Sequence, residues 1–493
     1  MHVHDILAAI PLERGSATPL FRQLYLQMKE AILAGGIAAS ARLPATRELG
    51  RLLGVSRQTV LAAYEQLMAE GYLEGAVGKG TFVSASLPAA ARARAPADEA
   101  APPLVRPLSA RGEAMAAAMS RVRHHDGPLR TFRISMPGLD LFPFEVWRKL
   151  EARHWRRRDV PLGYGGAAGH APLRELLCAY LQASRGVRCA PEQIVITTGS
   201  QQALYLLAQL LLAPGEGVWL ESPGYQGALA PFAVAGARIC PVPVDAEGMD
   251  VAYAATRYPD ARLAFATPSH QLPLGVTMSL ARRLDLLRWA QAKGAWIVED
   301  DYDSEYRYTG PPLASLQGLD RANCVIYVGT LSKVLFPGLR LGYVVAPPAL
   351  AEPLARAKAV VDRHSPIVPQ AVLADFIQEG HFARHIRRTR DAYGERRIAM
   401  LESLDSRMRG ILACGPSDAG LDLCVGIMNG LGEEEAVARA SAAGVDLRAL
   451  SYYVNPAAGP DCAVPPGMLL GFSAFTPVQI RAGVRRLEQA LAA

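Results

Sequence analysis

Four times beyond residue 190, a short apolar run stops at residues that can do chemistry, and the order of the stops leaves few folds open. Ile194-Val195-Ile196-Thr197 runs into Thr198-Gly199-Ser200-Gln201, and a second strand-like run ends in Glu221-Ser222-Pro223-Gly224-Tyr225. Ala295-Trp296-Ile297-Val298 meets Glu299-Asp300-Asp301-Tyr302, and Val325-Ile326-Tyr327-Val328 meets Gly329-Thr330-Leu331-Ser332-Lys333, with Arg340 seven positions after the lysine. Helix-period segments such as Gln202 to Leu212 alternate with these runs, which predicts an α/β domain with a mostly parallel sheet.

Each stop suits one part of a single ligand. A helix starting after Gly199-Ser200 presents free N–H groups and a positive dipole end to a phosphate. Tyr225 can stack on a planar ring. A carboxylate such as Asp300 against a pyridine nitrogen keeps the ring protonated and electron-withdrawing, and the Tyr302 phenol can hydrogen-bond a ring oxygen. Lys333 has an amine that apolar surroundings turn into a nucleophile for an aldehyde, beside Thr330, Ser332 and Arg340 as phosphate donors. Singly, a Gly-Ser turn, a loop tyrosine or a Ser-Lys pair is compatible with an ordinary strand-turn. Together and in this order they are the parts that hold pyridoxal 5'-phosphate.

The chain is too long for one ordinary domain at 493 residues, 50% of them hydrophobic. Leu20 to Leu33 carries apolar residues at helical spacing and ends at Gly35-Gly36; Thr46 to Leu53 is a second helix stopped by Gly54; Ser56 can cap a third that runs to about Glu70. Two strand-like pieces follow, Tyr72-Leu73-Glu74 and Thr81-Phe82-Val83, joined through Gly78-Lys79-Gly80. This is a winged helix-turn-helix, an α+β module covering residues 1–84. The net charge of +6 is mild, so the case for nucleic acid rests on clustering: Arg42, Arg47, Arg51 and Arg57 stand against one glutamate, Glu48, around the turn. Ser56, Arg57, Gln58 and Thr59 open the third helix, where recognition helices reach base edges, while Val60, Tyr64 and Leu67 face the core. Residues 85–129, rich in Ala, Pro and Arg, read as a flexible linker, and 130–493 as the second domain.

The stretches Arg42-Leu43-Pro44-Ala45-Thr46-Arg47-Glu48-Leu49, Leu53-Gly54-Val55-Ser56-Arg57-Gln58-Thr59-Val60 and Gly78-Lys79-Gly80-Thr81-Phe82-Val83 resemble the GntR winged-helix signature. The resemblance implies operator contacts from Arg47, Ser56, Arg57, Gln58, Thr59, Gly78 and Lys79. Residues 130–493 resemble a fold-type-I, class-I/II aminotransferase, and the whole chain resembles the MocR-type regulators. That implies Lys333 as the Schiff-base lysine, Asp300 on the pyridine nitrogen, Tyr302 on the ring oxygen and Tyr225 as the stacking ring. It also implies Ser200, Gln201, Ser332 and Arg340 on the phosphate, and a homodimer, since Tyr164 in Gly163-Tyr164-Gly165-Gly166 matches a tyrosine lent to the neighbouring subunit's phosphate. Two positions depart from working aminotransferases. Leu272 replaces the asparagine expected before Pro273, so His270 or Gln271 has to substitute. Leu469 stands where an arginine for the substrate carboxylate is sought, so the effector either uses another arginine such as Arg448 or lacks a carboxylate held in the usual way.

The resulting expectation is a cytoplasmic, DNA-binding transcriptional regulator that carries pyridoxal phosphate as an internal aldimine on Lys333. It senses a small amine or amino acid, or the cofactor itself. At most residual aminotransferase half-reactions are expected, with an active aminotransferase bearing a DNA-binding appendage as the competing reading. The seven cysteines are scattered without a C-x-x-C pair, which suits reduced thiols; no stretch has membrane-spanning length without charge, and no metal site is expected. Two basic stretches, Arg148 to Arg158 and Arg384 to Arg397, read first as solvated helix faces and second as a track for DNA.

Overall fold

Gly54 sets the geometry of the N-terminal unit. It closes the helix Thr46–Leu53 in the left-handed conformation at φ 64°, and the chain re-enters helix at Arg57–Ala69. In the computed structural model the described residues are 3–76, 80–86, 106–118, 127–156, 163–310, 313–416 and 418–492. They divide into two units, Met1–Pro107 and Leu108–Ala493. The first holds α1 (Val3–Ala8), α2 (Leu20–Leu33), α3 (Thr46–Leu53), α4 (Arg57–Ala69) and the hairpin β1 (Leu73–Ala76) and β2 (Gly80–Val83). Leu24, Met28, Leu49, Val60, Tyr64 and Leu67 are buried in one core. The Ser56 side chain accepts from Thr59 N at 3.0 Å, the N-cap expected of it. A Cβ on Gly50 would sit 3.1 Å from Val55 O, so a larger residue there would need the α3–α4 turn to open by a few tenths of an ångström. Gly78 and Lys79 lie outside the described residues.

The second unit is built on an eight-stranded sheet in the order β3-β10-β9-β8-β7-β4-β5-β6. The strands are β3 (Ile194–Thr197), β4 (Gly217–Ser222), β5 (Arg238–Asp245), β6 (Gly248–Met249), β7 (Ala261–Ala266), β8 (Trp296–Asp301), β9 (Val325–Thr330) and β10 (Gly342–Val345). Pairs β5·β4, β4·β7, β7·β8 and β8·β9 are parallel, but β10 runs antiparallel to both β3 and β9, so the sheet is mixed. Ile194 and Ile196 belong to one core cluster and Val195 to another, so the sheet is buried on both faces, as continuous apolar runs require. A smaller antiparallel sheet, β11 (Leu412–Cys414), β12 (Asp422–Ile427), β14 (Gly467–Gly471) and β13 (Arg448–Ala449), shares a core with the helices His381–Arg407 and Pro477–Leu491.

Two expectations change. The stretch 85–129 contains a helix, Ala110–Ala118, that packs against Gln226–Val234 and joins Arg111 Nη2 to Gln209 Oε1 at 3.0 Å, so the second unit begins at Leu108 and not at 130. Residues 87–105 and 119–126 are outside the described set. The basic stretches are helical, in Phe144–Arg156 and His381–Arg407, with Arg157 and Arg158 outside the description. They are not wholly solvated: Arg396 is buried, pairs with Asp140 at 2.5 Å and donates to Ser473 O.

Candidate cofactor site and nucleic-acid interface

Parallel strands bring their carboxyl ends to one edge of a sheet, and ligands bind at that edge. Ser200 follows β3, Tyr225 follows β4, Thr267 follows β7, Asp300 and Tyr302 end and follow β8, and Lys333 follows β9. Arg340 precedes β10, and because β10 runs the other way its start lies at the same edge. The result is a cavity of about 310 Å³ lined by Ser200, Gln201, Tyr225, Asp300, Tyr302, Ser332, Lys333 and Arg340, together with Ser135, Thr267, Leu272, Thr330 and Pro337.

Helix Ser200–Leu211 starts two residues before the expected Gln202, and no side chain caps its first turn. That turn keeps N–H groups for an anion. Arg340, in the left-handed region at φ 51°, donates from Nη2 to Thr198 O at 2.9 Å. A Cβ on Gly199 would lie 3.2 Å from the same nitrogen and crowd the guanidinium, and the backbone there, at φ 98°, strains any residue but glycine.

Asp300 is buried and its Oδ1 has no hydrogen-bond partner among the described residues. Burial first, then Asp301, Glu221 and Asp303, push its carboxyl up to about 7. An orphaned acceptor on a cavity wall costs on the order of 1–3 kcal/mol until a donor meets it. Lys333 is half-buried, and its Nζ donates to Ser135 O at 2.9 Å. Burial lowers its pKa against the opposing charges of Asp422, Asp303 and Asp300, which favours the neutral nucleophilic amine.

Tyr302 OH lies 3.0 Å from His270 Nδ1, which is also 3.0 Å from Asp303 Oδ2. Burial depresses His270, but Asp303 outweighs it and holds the imidazole above its ordinary value. Gln271 spends its amide on Pro223 O and Leu272 O, at 2.9 and 2.8 Å. Of the two residues considered in place of the missing asparagine, His270 is therefore the one that reaches the cavity wall, through Tyr302. Tyr164 does not line the cavity; it is 84% exposed, with Arg363 5.2 Å from its ring centre.

Two neighbours escaped the sequence reading. Ser135 N and Oγ donate to the Asp422 carboxylate at 2.7 and 3.1 Å, and Asp422, pushed up to about 6 by burial, acts electrostatically on Lys333. Asp422 is a lone carboxylate in the otherwise apolar Leu421-Asp422-Leu423-Cys424-Val425, a signal that was available. The cavity fits pyridoxal phosphate by its own chemistry: a carboxylate oxygen without a partner among the described residues for a ring N–H, an amine whose ammonium form burial disfavours for an aldehyde, and an uncapped helix end with a guanidinium for a phosphate.

In the N-terminal unit Arg47, Ser56, Arg57 and Gln58 are exposed and Thr59 is half-buried. Arg47, Arg51 and Arg57 surround a shallow depression over Gly50, Gly54 and Val55. Tyr64 OH donates to Pro44 O at 3.0 Å, tying α4 to the chain that enters α3. Guanidiniums from both ends of α3 and from the start of α4, gathered on an exposed face, are what a phosphate backbone requires.

Fold and site together define a winged-helix head fused to a fold-type-I aminotransferase body. Residues 136–487 match the family described as aminotransferase class I and II, and residues 20–83 match the bacterial regulatory proteins of the gntR family. The probable rhizopine catabolism regulatory protein MocR of Rhizobium meliloti is 40% identical over 98% of this chain and 96% of its own length. The HTH-type transcriptional regulator TauR of Rhodobacter capsulatus is 33% identical over 98% of this chain and 100% of its own. Among solved structures, the alpha-aminoadipate aminotransferase LysN of Thermus thermophilus, complexed with N-(5'-phosphopyridoxyl)-L-leucine, superposes with a TM-score of 0.67 at 31% identity, covering 77% of this chain and 94% of that one. The chain belongs to the MocR-type regulators, a GntR winged helix followed by a class I and II aminotransferase domain. It is a DNA-binding transcriptional regulator, and its cofactor is pyridoxal 5'-phosphate. No helix among the described residues is long and apolar enough to cross a membrane.

Proposed function

We propose that this regulator holds its cofactor covalently through Lys333 and converts capture of a small molecule at that lysine into a change in operator binding. One observation carries the reading: a lysine amine whose ammonium form burial disfavours and a buried carboxylate, Asp300, whose Oδ1 has no partner among the described residues, face one cavity beside an uncapped helix start. In this assignment Asp300 meets the pyridine nitrogen, Tyr302 the ring oxygen, and Tyr225 the ring face. Ser200, Gln201, Ser332 and Arg340 take the phosphate, and Tyr164 serves the partner subunit of a homodimer. When bound, the cofactor supplies an aldehyde and an electron-withdrawing ring. The protein's residues orient it, exclude water and set the protonation of Lys333. The signal is an amine or amino acid, or the cofactor itself. Arg47, Ser56, Arg57, Gln58 and Thr59, with Gly78 and Lys79, contact double-stranded operator DNA in the cytoplasm.

A second reading, an active aminotransferase with a DNA-binding appendage, draws on the complete set Asp300, Tyr302 and Lys333. Leu272 and Leu469 weigh against it, because both belong to an apolar cluster where turnover of ordinary amino acids needs polar anchors. Borohydride reduction of the purified yellow protein tests the main reading. The label is expected on Lys333 and is lost in Lys333→Ala; a label on another lysine overturns the assignment. Sustained turnover with an amino acid and a keto acid would favour the second reading.

A further inference from the structure

Beyond the phosphate end, the described lining of the Lys333 cavity offers hydroxyls, the carboxylate of Asp300 and the aliphatic side chain of Leu272. Among the described residues that line it, Arg340 is the one guanidinium, and it is tied to Thr198 O at the turn before helix Ser200–Leu211. Leu272 lines the cavity as part of an apolar cluster with Leu450, Tyr453 and Leu469. Behind Ser135 stands Asp422, and Asp422, Asp303 and Asp300 are the three charges that act on Lys333. Neither arginine that could serve a carboxylate lines this space. Arg448 lies over the Tyr452 ring at 4.6 Å and lines a separate groove with Arg130, Arg133 and Asp446. Arg307 is outside the lining and acts on His270.

From this we infer that the molecule captured at Lys333 is a primary amine without a carboxylate. The inference rests on the reading of Lys333 as the cofactor-bearing lysine and narrows its signal. An incoming ammonium is drawn toward Asp422 behind Ser135, whereas an α-carboxylate brought in with it meets that charge and, among the described lining residues, no guanidinium besides the tied Arg340. A charge desolvated without a partner is among the most expensive events in a protein interior. A hydrocarbon or hydroxylated skeleton instead lies against Leu272 and its cluster at no such cost. The exchange balances without a redox partner. With the cofactor held through Lys333, its aldehyde carbon would be the acceptor: the C=N bond to Nζ would give way to one to the amine nitrogen, and the two protons leaving the amine would pass to Nζ. Ser135 O, 2.9 Å from Nζ in this structure, receives the freed lysine.

The test uses the full-length holoprotein, first checked for a borohydride label on Lys333. It is then titrated with matched pairs that differ by a carboxylate: 2-phenylethylamine against phenylalanine, 2-aminoethanol against serine, 1,4-diaminobutane against ornithine. The readouts are the cofactor's absorption band and the loss of the Lys333 label. The amine of each responsive pair is expected to half-saturate at an at least about tenfold lower concentration than its amino acid. Leu469→Arg should shrink or invert that ratio, and Asp422→Asn should lower it without requiring a large residue to be accommodated. Ratios of one or below in the wild type overturn the inference while a Lys333 label upholds the reading beneath it. Absence of the label before titration overturns both.

Discussion

Asp300 shows what one residue contributes before any ligand is present. Its carboxyl titrates at about 7 in the fold against an ordinary 3.8. A folded pKa above the unfolded one means that the unfolded chain ionises first, so the folded state is penalised progressively as pH rises from about 4 to about 7 and by a constant amount above that. At about 1.4 kcal/mol per unit the full penalty is on the order of 4 kcal/mol. Asp300→Asn in the cofactor-free protein should therefore raise the thermal midpoint at pH 8 clearly more than at pH 4.5, and in the same variant cofactor affinity should fall. A pH-independent difference between the two proteins would remove Asp300 from the site's electrostatics. Residues of this kind were legible because each terminates its own apolar run. Asp422 offered a comparable signal, a lone carboxylate in an apolar run, but its place beside Lys333 was not legible and Ser135 was not legible at all, because they come from the second sheet and from the chain before the large sheet and no local pattern ties those segments together.

At the scale of elements, α4 separates stability from recognition within three residues. Ser56 caps the helix through Thr59 N, whereas Arg57 is exposed. Ser56→Ala removes the cap and should cost about 1 kcal/mol of head stability. Arg57→Ala should leave head melting unchanged and weaken operator binding by roughly 1–3 kcal/mol. Gel-shift titration and melting of the two variants check this, and an unaltered operator affinity in Arg57→Ala excludes that side chain from the interface. The limits of the head's helices were readable because Gly54 and Ser56 act through local backbone chemistry. Two elements were not. Ala110–Ala118 is mostly alanine and small residues with no buried side chain of its own, so it has no apolar period to read. The reversal of β10 leaves Gly342-Tyr343-Val344-Val345 as apolar as a parallel strand, so the run itself does not reveal its direction.

For the whole molecule, the question is whether one chain completes its own site. Tyr164 is largely exposed and does not line the cavity of its own chain, yet the proposed function gives its hydroxyl to a cofactor phosphate. Both hold if the hydroxyl enters the cavity of a second copy. A hydrogen bond to a charged group contributes roughly 1.5–3 kcal/mol, so Tyr164→Phe should weaken cofactor binding about ten- to a hundredfold. That loss alone does not say which chain the tyrosine serves; mixed dimers do. When Tyr164→Phe chains are paired with Lys333→Ala chains, each heterodimer has one site with an intact lysine. In the shared arrangement that site receives its tyrosine from the Lys333→Ala partner and should bind cofactor with wild-type affinity. If Tyr164 served its own chain, the same site would keep the full defect. Equilibrium titration of isolated heterodimers separates the two outcomes, and a chain that sediments as a monomer while binding cofactor normally would dispose of the shared site altogether.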